Sequence, residues 1–140
     1  MSDSQRFPVA AHVLAYLAHK DALTAASAVS SSELAQSVAT NPVVVRRVTA
    51  MLARAGLIGT RRGASGGAWL IQPADRIGLD TVLRAVNESA RFGVPPVGSK
   101  ACPVGERLPK AVQAAIDAAD EAAARQLGST TVADLLAAAE

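Results

Sequence analysis

The run Asn41-Pro-Val-Val-Val-Arg-Arg-Val-Thr-Ala-Met-Leu-Ala-Arg-Ala-Gly56 carries a helix start and a helix stop within sixteen residues. The Asn41 side chain can accept a free backbone N–H, and proline at the first helical position is pre-set for the helix. At about 100° per residue, Val44, Val48, Met51, Leu52 and Ala55 share one face, which is expected to point inward. Val43, Arg46, Ala50, Ala53 and Arg54 point away, with Arg47 on the border. Leu57-Ile-Gly-Thr-Arg-Arg-Gly-Ala-Ser-Gly-Gly-Ala-Trp-Leu-Ile71 follows directly. It predicts a β-hairpin with a glycine-rich tip, two arginines at its base and Trp69 as a packing residue. A helix with outward arginines followed by a basic hairpin is the layout of a winged helix that grips DNA.

Working outward on the N-terminal side, Ser30-Ser-Ser-Glu33 predicts a capping box, with Ser30 as N-cap and Glu33 three residues on. A short helix over residues 31–38 follows, with Leu34 and Val38 inward. Ala39 and Thr40 make the turn, so two helices meet in a helix-turn-helix whose second member enters the major groove. Residues 6–19 predict an amphipathic helix with Val9, Val13, Leu14 and Leu17 on its inner face, packed under the DNA-reading unit. Residues 20–30 are small and polar and are expected to form a linker. His12 and His19 stand seven apart with no second ligand pair near them in sequence, so they predict no metal site.

On the C-terminal side, residues 79–88 predict a short helix with Leu79, Val82, Leu83 and Val86 inward, and a Pro/Gly-rich loop fills 89–101. Cys102-Pro-Val-Gly places a thiol at a helix N-terminus, where the dipole favours thiolate, and makes Cys102 a candidate sensor. Residues 106–127 form the longest helical pattern, with Pro109 expected to kink its start. Val112, Ile116, Ala119, Ala123 and Leu127 recur in steps of four, three, four and four, a coiled-coil-like seam. No other element is evident to bury it, so Val112, Ile116, Ala119 and Ala123 are the expected homodimer interface. Gly128 stops the helix, and Thr131-Val-Ala-Asp134 caps a last one that can fold back onto the body.

The fold class expected is mostly α with a small β-hairpin: a winged helix-turn-helix domain (1–88), a loop carrying Cys102 (89–104), and a dimerisation helix with a terminal helix (105–140). With 50% hydrophobic and only 3% aromatic residues, the core must come from Ala, Val, Leu and Ile. The net charge of +2 hides an uneven distribution. Residues 34–74 hold Arg46, Arg47, Arg54, Arg61 and Arg62 and no acid, whereas residues 105–140 carry more acids than bases. A basic centre suits nucleic acid, and an acidic tail suits a different partner. One cysteine excludes an internal disulfide. No signal-peptide pattern or membrane-spanning apolar run is evident, so a cytoplasmic location and no membrane partner are expected. The glycine-rich tip is not a P-loop, which needs a preceding strand, a following helix and a Lys-Ser/Thr pair. No Ser/His/Asp set, paired carboxylates or metal-ligand cluster is spaced for chemistry, so no catalytic residue and no cofactor are expected.

Taken together, these pieces resemble the Rrf2 family of bacterial winged-helix transcription regulators over nearly the whole chain. The resemblance rests on the N-terminal helix, Ser31-Ser-Glu-Leu-Ala35, Thr40-Asn-Pro-Val-Val-Val-Arg-Arg47, Leu52-Ala-Arg-Ala-Gly-Leu57, Arg62-Gly-Ala-Ser-Gly-Gly67, Ile77-Gly-Leu-Asp80, Ala85-Val-Asn-Glu88 and the long helix. It implies a homodimer that reads a pseudo-palindromic operator in double-stranded DNA with two recognition helices and two wings. Asn41-Pro-Val-Val-Val-Arg-Arg and Cys102-Pro-Val-Gly look closest to the branch without an iron–sulfur cluster. Cluster-binding members place three cysteines before the long helix, where this chain offers only Cys102. Ala68 stands where many members carry an aromatic, with Trp69 beside it. The DNA-contacting residues expected are Val43, Arg46 and Arg47 in the major groove, Arg61, Arg62, Gly63 and Ser65 in the wing, and Ser32, Gln36 and Asn41 at phosphates. The expected function is a DNA-binding transcriptional regulator acting as a repressor. The alternative from another class is a winged-helix interaction module whose basic face docks an acidic protein.

Overall fold

Helix α1 (Arg6–His19) forms where the spacing of Val9, Val13, Leu14 and Leu17 predicts it, and all four are buried in the computed structural model, which describes residues 5–86 and 92–140. Each such side chain removed from water contributes about 1.5–3 kcal/mol. Helix α1 touches α2 (Ser31–Val38), α3 (Pro42–Arg54), α4 (Leu79–Ala85) and α6 (Val132–Ala139), so one apolar cluster runs through the described body. The last helix does fold back: Val132 is fully buried in that cluster.

Helix α2 is only half of the capping box. The Ser30 hydroxyl accepts the Glu33 N–H at 3.1 Å. The Glu33 carboxylate does not return to the Ser30 backbone; it accepts the Tyr16 hydroxyl at 2.7 Å and pairs with Lys20 at 3.4 Å. A phenol and an ammonium held on the neighbouring helix outcompete one backbone N–H that water can serve. The hydrogen bond from Tyr16, aided by Lys20, holds the Glu33 carboxyl below the usual glutamate range against the opposing effect of desolvation. The same bond raises the Tyr16 phenol above its ordinary value. Helix α2 then ends at Ala39, which adopts the left-handed conformation at φ 62°.

Helix α3 is capped as expected, with Asn41 Oδ1 accepting the Val43 N–H at 2.8 Å. Its buried face differs from the expected one. Val45, Val48, Thr49 and Leu52 are buried, Val44 and Met51 are half-buried, and Ala55 is exposed. Thr49 goes inward because its hydroxyl donates to the Arg46 carbonyl at 3.0 Å, which satisfies its polar group within the helix. Ala55 falls beyond the helix end, where the chain turns at Gly56 (φ 78°). There Leu57 N–H donates to the Leu52 carbonyl and Gly56 N–H to that of Ala53, the paired bonds of a Schellman cap.

Strand β1 (Ile58–Arg61) pairs antiparallel with β2 (Gly67–Leu70), in the register Ile58 to Leu70, Gly59 to Trp69, Thr60 to Ala68 and Arg61 to Gly67. Ile58, Ala68 and Leu70 are buried, while Trp69 lies half-buried across Gly59. A β-carbon on Gly59 would collide with the indole ring. Residues 20–30 are no passive linker. Val29 and Ala68 exchange both backbone bonds at 2.9 Å, the Ala22 carbonyl accepts the Leu70 N–H, and Ala22 and Val29 are buried. Small polar composition concealed an edge that the hairpin needs, because β2 would otherwise leave its outer N–H groups bare.

After a 3₁₀ turn at Ala74–Arg76, α4 covers the core with Leu79, Val82 and Leu83, and Val86 follows them inward. The expected helix ran on to residue 88; residues 87–91 lie outside the described part of the chain. Helix α5 (Pro103–Gly128) starts three residues before the expected position, and Pro109 lies inside it. Cys102 is its N-cap, its sulfur accepting the Gly105 N–H at 3.3 Å. Helix α5 packs on α4 but buries no residue fully within the single chain. The terminal capping box is complete, with Thr131 and Asp134 each accepting the other's backbone N–H.

Candidate nucleic-acid interface

The outer surface of α3, the first turn of α2 and the hairpin together enclose a cleft of about 630 Å³. Its walls include Ser30, Ser31 and Ser32 on one side, Arg46 and Ala50 on the floor, and Thr60, Arg61, Arg62 and Gly63 on the other. Of the residues expected at DNA, the cleft gathers Ser32, Arg46, Arg61, Arg62 and Gly63. Gln36, Asn41, Val43, Arg47 and Ser65 lie outside it and are exposed. Val43, Arg46, Arg47 and Ala50 recur at three and four residues, so they form one continuous outward strip of α3. The cleft and that strip form one surface.

Its electrostatics follow from what does not occupy the arginines. Among the described residues, Arg46, Arg47 and Arg62 are exposed, and the ion pairs of the body lie elsewhere, at Lys20 with Glu33 and at Arg84 with Asp80. An unpaired guanidinium keeps five donors in a planar fork for phosphate or a guanine edge. Arg61 is arranged differently. Its terminal nitrogen donates to the Ser65 carbonyl at 3.0 Å and to the Ala25 carbonyl at 3.4 Å. The Asn41 carboxamide oxygen is likewise committed to its own helix.

Thr60 and Ala50 line the cleft without having been singled out as contacts. Ala50 was findable, since it stands four residues after Arg46. Thr60 was not, because its side depends on hairpin register. The glycines of the wing have separate uses. Gly63 (φ 101°) makes the turn, closed by the Gly66 N–H donating to its carbonyl at 3.0 Å. Gly67 lies so close to the Val29 carbonyl that a β-carbon would not fit.

The other expected sites fall on α5. Cys102 is exposed. The expected seam is divided between two faces: Ile116 and Ala123 are half-buried on the body side, whereas Val112 and Ala119 are exposed. Val104, Leu108 and Val112 form the bulky part of an outward apolar stripe. His12 bonds Ser37 of α2 at 2.8 Å and so helps join two helices of the body, while His19 packs tilted against Tyr16 within α1. No helix of the described residues is long and apolar enough to cross a membrane.

Comparison with known proteins agrees with this fold. The chain is 32% identical over 134 residues to a Bacillus subtilis protein named as the HTH-type transcriptional regulator YwnA, covering 95% of this chain and 96% of that one. A crystal structure described as a DNA-binding protein is 31% identical, with a TM-score of 0.72 over 94% of this chain and 98% of the other. A transcriptional regulator from Lactobacillus plantarum is 28% identical, with a TM-score of 0.76 over 94% and 87%. The Rrf2 family, described as "Iron-dependent Transcriptional regulator", matches residues 3–138. Iron held by three cysteines of one subunit does not fit this chain, whose one cysteine caps α5, and the described residues include no group of three His, Cys, Asp or Glu placed to share a metal. The winged helix, its basic cleft and these relatives agree: the chain belongs to the Rrf2 family of transcriptional regulators and is not an enzyme.

Proposed function

We propose that the protein is a homodimeric repressor that binds a pseudo-palindromic operator, with α3 in the major groove and the wing over the minor groove. The observation that carries this reading is the single basic surface formed by Arg46, Arg47 and Arg62, exposed beside the N-terminus of α2. In this reading Arg46 and Arg47 read base edges, Ser32 and Gln36 meet phosphates, and the small Gly63 lets the wing backbone approach the duplex. The outward stripe of α5 supplies the contact between two copies. It is an unshielded apolar face on a helix that buries nothing fully by itself.

Titration of a random duplex at two salt concentrations tests the reading. Neutralising several phosphates makes log affinity fall linearly with log salt, by about 0.9 per phosphate. A steep fall is expected, and the Arg46→Ala, Arg62→Ala double variant should bind far more weakly. Wild-type affinity in that variant, or salt-independent binding, would reject DNA in favour of an acidic protein partner. Control through Cys102 is part of the proposal. The exposed sulfur is the acceptor that closes the first turn of α5, so oxidation or alkylation would disturb the helix that joins the subunits. Operator binding that responds to mild peroxide in the wild type and not in Cys102→Ser is the expected result; equal behaviour would exclude the switch.

A further inference from the structure

Two arginines stand side by side in the wing, and their surroundings divide their work. Arg62 is exposed at the start of the turn with its guanidinium unengaged among the described residues. Arg61 ends β1, yet its guanidinium reaches the Ser65 carbonyl within the tip and the Ala25 carbonyl in the 3₁₀ turn Ala25–Ser27. That turn leads into Val29, which pairs with Ala68 along the far side of β2. That 3₁₀ turn touches both strands of the hairpin, which puts the Ala25 carbonyl within reach of Arg61. Across the hairpin, Arg61 pairs with Gly67, the first residue of β2 after the tip.

From this arrangement we infer that Arg61 is a positioning residue for the wing, not a DNA contact. It ties the tip of the hairpin to the segment that already holds its root. The hairpin is held along its length: by the Leu70 N–H on the Ala22 carbonyl at the root, by the paired bonds of Val29 and Ala68 further along β2, and by one guanidinium at the tip. A two-stranded hairpin alone is marginal in water. Holding the tip in advance lowers the ordering cost that would otherwise be met when Arg62 enters the groove. One terminal nitrogen of Arg61 is already engaged on two carbonyls, whereas the fork of the neighbouring Arg62 is unengaged among the described residues, which makes Arg62 the wing's groove reader.

The inference rests on the DNA-binding reading, and a double-mutant cycle on a duplex separates the two. Arg61→Met keeps the aliphatic stem and removes the guanidinium. It should weaken duplex binding roughly three- to tenfold, the worth of one or two hydrogen bonds, in the wild-type background. In an Arg62→Ala background it should cost less than about twofold, because the contact it positions is gone. The salt slope should drop with Arg62→Ala and drop no further in the double variant. Hydrogen exchange on the free protein gives a readout independent of DNA: the Gly66 amide, which bonds Gly63 across the tip, should exchange faster in Arg61→Met. Multiplying losses with a slope reduced by about one more unit would make Arg61 a phosphate ligand and overturn the inference. Unchanged exchange at Gly66 would overturn it as well. Unchanged affinity and slope in Arg62→Ala alone would overturn the DNA reading of the wing, and the positioning role with it.

Discussion

Arginines of one strip differ in what they can do because of what already holds them. Arg46 projects into the cleft from the floor of α3, with its backbone carbonyl tied to the Thr49 hydroxyl and its side chain exposed. Arg46→Ala is expected to cost about 1–3 kcal/mol of operator affinity and to flatten the preference among operator variants, since a base-reading fork is lost. Competition binding with single-base operator variants checks this; an even loss across all variants would make Arg46 a phosphate contact. Glu33 offers a residue-scale test of the body. Its folded pKa is lowered, first by the Tyr16 hydrogen bond and then by Lys20, so its contribution to stability is present above the ordinary glutamate value and lost as pH falls through the folded value. Tyr16→Phe should therefore flatten the pH dependence of the urea midpoint on the acid side of that ordinary value, leaving neutral and mildly alkaline pH with a constant offset.

At the scale of the element, termini and turns are where local chemistry is explicit and where it is also strained. Ala39 adopts φ 62° between α2 and α3, a conformation costing an L-residue about 1–2 kcal/mol. Glycine there relieves the strain and adds unfolded-state entropy, for a net gain of about 0.5–1 kcal/mol. Chemical denaturation at fixed protein concentration should show a higher midpoint for Ala39→Gly with the same slope. The wing gives the opposite case. Gly59→Ala would drive a methyl group into the Trp69 ring, and overpacking of this kind costs about 1–3 kcal/mol. Tryptophan emission should shift in that variant, and DNA binding should weaken while the helical circular-dichroism signal is retained. Loss of the helical signal instead would mean that Trp69 supports the body as well as the wing.

For the molecule as a whole, the proposed dimer turns on the apolar stripe of α5. The exposed stripe of Val104, Leu108 and Val112 continues through small residues such as Ala115 and Ala119, which let a second helix come close. Leu108→Asp puts a carboxylate into the middle of that stripe and should give a folded monomer by light scattering, because the single-chain core does not include Leu108. Ile116→Asp should be harsher and lower the stability of the subunit itself, since Ile116 is half-buried on the face toward the body. A wild-type protein that is monomeric at micromolar concentration would refute the dimer.

The helix ends, the hairpin and the basic strip were determined by the sequence itself, for a physical reason: each depends on neighbours within a few residues. Asn41-Pro42 starts α3, Gly56 ends it, Gly63 turns the wing, and Cys102 caps α5 through bonds that span two to five positions. Tertiary structure decided which faces of α3 and α5 point inward, whereas spacing already gave the inner faces of α1 and α4. The buried side of α3 is turned by roughly 60° from the expected one, less than the step between adjacent residues, because Thr49 could hide its hydroxyl against its own helix. Ala22 and Val29 became an edge of the wing only because β2 lay alongside. Glu33 left its capping box for Tyr16, and Arg61 reached Ala25, across 17 and 36 positions of chain. The α5 seam divided because Ile116 and Ala123 fall on a half-buried side of the helix, while Val112 and Ala119 stay exposed. Periodicity names the residues that can share a face; which face is buried depends on partners that only the folded chain brings near.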